Sequence, residues 1–261
     1  MNTTLHTTLA AAAMIASAQA AEAKHLIGLT SDNMLVRIDS EARAAAAPVR
    51  VTGTDGRLIG IDQRPSDGKL YGVTERGQIV TLDPATGAAT QVSRLNVPFE
   101  SGGRAVVDFN PVANRLRLMG MNGVNLRVNV DTGEAVRDGE VKYAAGGQYA
   151  ETRPRVVAGA YTNSIAGTTA TALYTIDTLL GALNLQAPPN DGVQQPKGML
   201  GVSVPAGVAM DILPGDGGAN TAWVLAAGTL HLANLETGML TAAGPVTGLP
   251  QAELLDIAAM R

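Results

Sequence analysis

The strongest constraint on this chain is that it repeats itself. One unit runs Leu58-Ile59-Gly60-Ile61-Asp62, Pro65-Ser66-Asp67-Gly68, Lys69-Leu70-Tyr71-Gly72, Gln78-Ile79-Val80-Thr81-Leu82-Asp83 and Pro84-Ala85-Thr86-Gly87. Short β-prone runs alternate with turn residues, which reads as four strands joined by tight connections. A second copy holds Val106-Val107-Asp108-Phe109-Asn110-Pro111, Arg115-Leu116-Arg117-Leu118 and Leu126-Arg127-Val128-Asn129-Val130-Asp131-Thr132-Gly133. A third, more divergent copy starts at Val156-Val157-Ala158-Gly159-Ala160-Tyr161 and continues through Leu173-Tyr174-Thr175 and Leu183-Asn184-Leu185-Gln186. Its register is set by laying Pro188-Pro189-Asn190-Asp191-Gly192 on the Asp83 to Gly87 turn; placing Ile176-Asp177 on Leu82-Asp83 would lose that match. The fourth copy carries Val208-Ala209-Met210-Asp211-Ile212, Trp223-Val224-Leu225 and Ala233-Asn234-Leu235-Glu236-Thr237-Gly238.

The fifth copy is split between the two ends. Leu254-Leu255-Asp256-Ile257 supplies a first strand, and Leu26-Ile27-Gly28-Leu29 with Leu35-Val36-Arg37-Ile38-Asp39 supplies the next ones. First-strand anchors at Asp62, Asp108, Ala160, Asp211 and Asp256 are spaced 46, 52, 51 and 45 residues apart. Units of about 40–50 residues with four strands each are the mark of a β-propeller, where radial repetition protects sheet edges. The expectation is an all-β, five-bladed propeller of four-stranded antiparallel blades. N-terminal strands pairing with the C-terminal strand would close the ring, as one domain over residues 21–261.

Residues 1–20 read as a signal peptide: an apolar stretch from Leu9 to Ala16 precedes Ala18-Gln19-Ala20, an A-x-A cleavage pattern. This places the protein in the periplasm or outside the cell. No later apolar run reaches the roughly 18–20 residues that span a bilayer. The chain has no cysteine, which excludes disulfides, thiolate metal sites and a cysteine nucleophile. Nineteen basic against 23 acidic residues give a net charge of −4, with no electrostatic footprint for nucleic acid. Only eight residues are aromatic, which argues against a lectin-like stacking platform. A monomer is expected.

Several segments go beyond what a generic propeller repeat requires. They are Gly60-Ile61-Asp62 with Leu70-Tyr71-Gly72, Asp108-Phe109-Asn110-Pro111, Asn125-Leu126-Arg127, Ala160-Tyr161-Thr162-Asn163-Ser164 and Pro188-Pro189-Asn190-Asp191-Gly192. On these the chain resembles the bacterial domain-of-unknown-function family 4394 over nearly its whole mature length. The resemblance implies a secreted propeller and transfers no activity.

Departures from the repeat single out one sector. Where other copies carry Leu35, Ile79 and Leu232, the second and third carry Arg127 and Asn184. Strand alternation puts Asn125 and Arg127 on one face, and Arg115 and Arg117 on one face of the neighbouring strand. With Tyr161, Asn163, Asn190 and Asp191, these residues form the candidate ligand site. The loop 137–155, with Tyr143, Gly146, Gly147 and Tyr149, adjoins it. Guanidinium forks suit a small polar or anionic ligand; the competing reading is an internal network that stiffens two blades.

A second constellation is the recurring carboxylate at Asp62, Asp108, Asp211 and Asp256. If first strands line the axis, the four converge there. They would suit calcium or magnesium, hard cations that favour oxygen, or would each accept hydrogen bonds within their own unit. No other cofactor is evident. Two function classes follow: a binding protein for a small polar or anionic molecule or an envelope protein, and a hydrolase or lyase acting on a saccharide or lactone at the central channel, for which the same carboxylates would hold a divalent metal.

Overall fold

The computed structural model describes residues 25–204, 207–215 and 218–261; the signal peptide expected at residues 1–20 lies outside them. The strands are β1 His25–Thr30, β2 Met34–Asp39, β3 Ala44–Ala45, β4 Val49–Arg50, β5 Leu58–Gln63, β6 Leu70–Thr74, β7 Gln78–Leu82 and β8 Ala89–Arg94. They continue with β9 Ala105–Asn110, β10 Arg115–Gly120, β11 Asn125–Val128, β12 Ala135–Arg137, β13 Lys142–Tyr143, β14 Val156–Tyr161, β15 Leu173–Asp177, β16 Ala182–Gln186 and β17 Val193–Met199. The last are β18 Val208–Pro214, β19 Asn220–Ala226, β20 Thr229–Ala233, β21 Leu240–Pro245 and β22 Leu254–Met260.

These strands form five antiparallel sheets, the blades of a propeller. Blade 1 is β5 to β8, blade 2 β9 to β12, blade 3 β14 to β17 and blade 4 β18 to β21. The short β13 joins the outer edge of blade 3 in parallel with β17. In blade 5 the C-terminal β22 is innermost and pairs antiparallel with β1, from His25 opposite Met260 to Leu29 opposite Asp256. Ring closure by the chain ends is therefore as the split repeat requires. In blade 3, β16 leads into the Pro188 to Gly192 turn and then β17, the register fixed by that turn in the sequence.

Alternation along each strand assigns side chains to one neighbour or the other. In blade 1, Tyr71, Val73 and Ile79 join Phe109, Leu116, Leu118, Leu126 and Val128 of blade 2 in one apolar cluster. Leu58, Leu70, Val80 and Leu82 face the opposite way, into Leu29 and Leu35 of blade 5. Blades 3 and 4 share a further apolar cluster around Ile176, Leu183, Ile212 and Val224. Blade 2 meets blade 3 through a much smaller one, Val106, Met119, Val141, Val156, Tyr161 and Leu173.

Turns lock neighbouring blades together. The turn from β11 to β12 closes with Gly133 at φ +79, and a Cβ there would collide with the Arg94 carbonyl of blade 1. Only glycine accepts both that conformation and that approach. First strands crowd the axis equally tightly: a Cβ on Gly60 would strike Val107 and the Asp256 carboxylate.

Candidate functional site

Arg117 lies in mid-β10, in register with Arg127 of β11 and Asp108 of β9. Its side chain is 1% exposed. Nε donates to the Tyr161 hydroxyl at 3.1 Å, Nη1 to Asn125 Oδ1 at 2.9 Å and Asp138 Oδ2 at 2.6 Å, and Nη2 to Asn190 Oδ1 at 2.8 Å. Asn125 is buried too, and its Nδ2 donates to the carbonyls of Gly139 and Pro189. A buried cation needs a carboxylate and saturated hydrogen bonding; Asp138, two residues of asparagine and one phenol supply both.

The structure thus brings Arg117, Asn125, Tyr161 and Asn190 together, and their mutual hydrogen bonds occupy them. Arg127 donates from Nε to Asp138 at 2.7 Å while its side chain is 37% exposed. Arg115 and Asp191 are exposed. Asn163 stands apart from the others: its main-chain N–H donates to Asn220 Oδ1 and its Oδ1 accepts from Asn220 Nδ2, tying blade 3 to blade 4.

This network anchors the loop that follows β12. Gly139 donates to the Asn190 carbonyl, Lys142 to the Gly192 carbonyl, and Asp138 N–H to the Asn125 carbonyl. The chain is thereby zipped along the Pro188 to Gly192 turn before β13 begins. Tyr143 then bonds through its hydroxyl to the buried Asp177, and burial followed by that carboxylate pushes its phenol up. Tyr149 returns against it, ring centroids 5.6 Å apart. The two rings, with Gly147, Gln194, Gln195 and Pro196, line a cleft of about 310 Å³. Tyr149 is 37% exposed, so the cleft presents an accessible aromatic face.

Polar side chains continue inward across the same interface. Thr175 donates to Gln194, Gln194 to Gln186, and Gln186 to the Pro189 carbonyl. Asn184, opposite Thr175, is fully buried, and both its amide atoms lack a partner among the described residues.

The axial carboxylates are the second cluster. One oxygen each from Asp62, Asp108 and Asp211 lies within 4.8 Å of the others; Asp256 stands outside that group. All four are buried, and each reaches the next blade. Asp62 accepts from Phe109 N–H, Asp108 from Tyr161, Asp211 from Ala259 and Asp256 from Ile61. Asp62, Asp211 and Asp256 also accept from the residue that follows them. Each aspartate is a hook from one first strand to the next, and the hook is missing only where Ala160 replaces it. Burial raises all four acids, to about 7 for Asp211 and well above the usual carboxylate range for the rest. Mutual repulsion adds to this at Asp62 and Asp108. An all-oxygen donor set suits calcium or magnesium chemically, but a cation would compete with main-chain donors for seven of the eight oxygens.

Sequence reasoning missed Asp138, which lies in a loop without a repeat counterpart, Asp177 at the end of β15, and Arg104. Arg104, just before β9, reaches across the axis: Nη2 donates to the carbonyls of Val208 and Leu255, and Nη1 to that of Leu254 and to Glu253 Oε1. The signal was available, since Arg104 and Glu253 each immediately precede a first strand and carry opposite charge.

Comparisons with known proteins agree with the architecture. The family described as "Domain of unknown function (DUF4394)" matches residues 14–258, so the chain belongs to it. No curated protein matches. A protein of unknown function from Bacteroides thetaiotaomicron VPI-5482 is similar at 15% identity and TM-score 0.51, covering 92% of this chain and 65% of that one. Another of unknown function, from Bacteroides caccae, matches at 10% identity and TM-score 0.45, over 92% of this chain and 100% of that one. Among the described residues no helix is long and apolar enough to cross a membrane.

Proposed function

For this member of the DUF4394 family we propose an exported binding protein that takes a small polar molecule, free or displayed by an envelope partner, at the cleft of Tyr143 and Tyr149. The observation that carries the reading is the gathering of two of only five tyrosines into one cleft. Its volume, about 310 Å³, falls at the lower end of ligand pockets, which pair apolar walls with a few polar groups. Tyr149 offers a flat apolar face, and the exposed Gln148 and the Oε1 of Gln195 offer amide groups. Arg117, Asn125, Asn190 and Asp138 act beneath it by fixing the loop, and Arg127 and Arg115 remain at the surface as cations for an anionic group, while Asp191 is suited to a hydroxyl or amine donor.

The hydrolase or lyase at the central channel, with calcium or magnesium, is the weaker reading. Its carboxylates lie buried, and their oxygens hold main-chain amides.

The test is a nuclear magnetic resonance titration of the intact protein with glucose, N-acetylglucosamine, galacturonate and proline. At least one should shift the amide signals of Gly147, Gln148 and Tyr149, and Tyr149→Ala should abolish the response while the fold survives. Flat signals across the set, or an unchanged response in Tyr149→Ala, would overturn the proposal.

A further inference from the structure

A second pocket lies elsewhere, between blades 4 and 5. It has a volume of about 550 Å³ and is lined by Gly207, by the Ala227-Gly228 turn, and by the segment from Gly248 to Leu254 that enters β22. That segment is held at both ends: Val246 N–H donates to Gly228 and Thr247 N–H to Arg43, while the Glu253 carbonyl accepts from Ser31. Between these anchors, the N–H groups of Gly248, Leu249, Gln251, Ala252 and Glu253 find no acceptor among the described residues. A run of free main-chain donors around a concave space complements oxygen-rich, negatively charged ligands.

Arg104 backs the same wall. Its side chain is 9% exposed, and Nε is buried without a partner. The other nitrogens hold three carbonyls and a single carboxylate, that of Glu253 at 3.0 Å. The Glu253 side chain is 51% exposed and folds over Gly207, where a Cβ would lie 2.8 Å from Oε1. Only the glutamate end of this ion pair is solvated, so Glu253 can swing out while the cation stays in place.

We propose that the pocket between blades 4 and 5 binds a small carboxylate, whose carboxyl group takes the place of Glu253 on Arg104 while its remaining oxygens meet the free amides of 248–253. Glu253 is then a tethered stand-in that holds the site when it is vacant and swings outward when the ligand enters. Gly207 is the clearance that lets either carboxylate lie against the main chain. This site shares no residue with the tyrosine cleft.

Calorimetric titration of the full protein with citrate, galacturonate and N-acetylglutamate tests the proposal. Glu253→Gln removes the competing charge and should tighten binding of at least one of them about tenfold over the unmodified protein. Ala252→Trp fills the space and should abolish that binding with the melting transition kept. The matching methyl esters should not bind. No carboxylate binding by Glu253→Gln, equal binding of acid and ester, or unchanged affinity in Ala252→Trp would each overturn the proposal. Tyr149→Ala should leave this binding intact, which separates it from the tyrosine cleft.

Discussion

The interface between blades 1 and 2 and the interface between blades 2 and 3 share a strand, β10. Leu116 and Leu118 leave it on one side and pack against Tyr71, Val73 and Ile79. Arg117 leaves on the other and makes hydrogen bonds to four side chains. The apolar side needs only shape and volume, so its partners are interchangeable in kind. The polar side specifies atoms: Asp138 sits on a loop, Asn190 on a turn and Tyr161 on a first strand. Exchanging an apolar seam for a polar one is what allows blade 2 to hold a loop in place over blade 3.

That contrast can be broken at Arg117. Arg117→Ala leaves Asp138 buried without its main partner and should cost about 3–5 kcal/mol in urea denaturation. It should also speed amide exchange at Gly139 and Lys142. Leu116→Ala costs about 2–5 kcal/mol by cavity formation but should leave those two amides protected. Equal loosening of the loop in both variants would remove the distinction between the interfaces.

Asn184 sharpens the contrast from within the polar side. Its amide is buried and unpaired among the described residues, so Asn184→Leu should stabilise the protein by about 1 kcal/mol. A loss of melting temperature instead would mean that the amide has an unseen partner such as water.

The axis separates paired from unpaired charge. Asp211 is raised to about 7, with Asp62, Asp108 and Asp256 also raised. The folded state then holds protons that the unfolded chain has released above about pH 4. Stability should therefore fall as pH rises from about 4 to 7, by about 1.4 kcal/mol per pH unit for each proton the folded state retains. Asp62→Asn should flatten that slope. A stability that climbs with pH over this window would contradict the buried acids.

The repeat made the blade number, the split fifth blade and the inward Asp positions legible, because each depends on residues a few positions apart or on a period. The departures at Arg117, Arg127 and Asn184 fall in the polar interface between blades 2 and 3. Their partners were hidden: Asp138 and Gly139 lie in a loop with no repeat to align, and Asn190 is 73 residues from Arg117. Sequence alternation assigns a face to a side chain, but it does not say whether another segment already fills that face. Arg104 was obscured for a related reason, since its acceptors on β22 lie about 150 residues away and are mostly main-chain carbonyls, which carry no residue signature.

Because β22 is the innermost strand of its blade, the centre of the molecule is made last. Until Leu254 and Leu255 dock, Arg104 lacks two of its carbonyl acceptors, and until Asp256 docks, Ile61 has no hook. Without β22, blades 1 to 4 are an open arc around an unfilled centre. Completion of the ring is an event that waits on one strand, and Leu254–Met260 decides whether it happens.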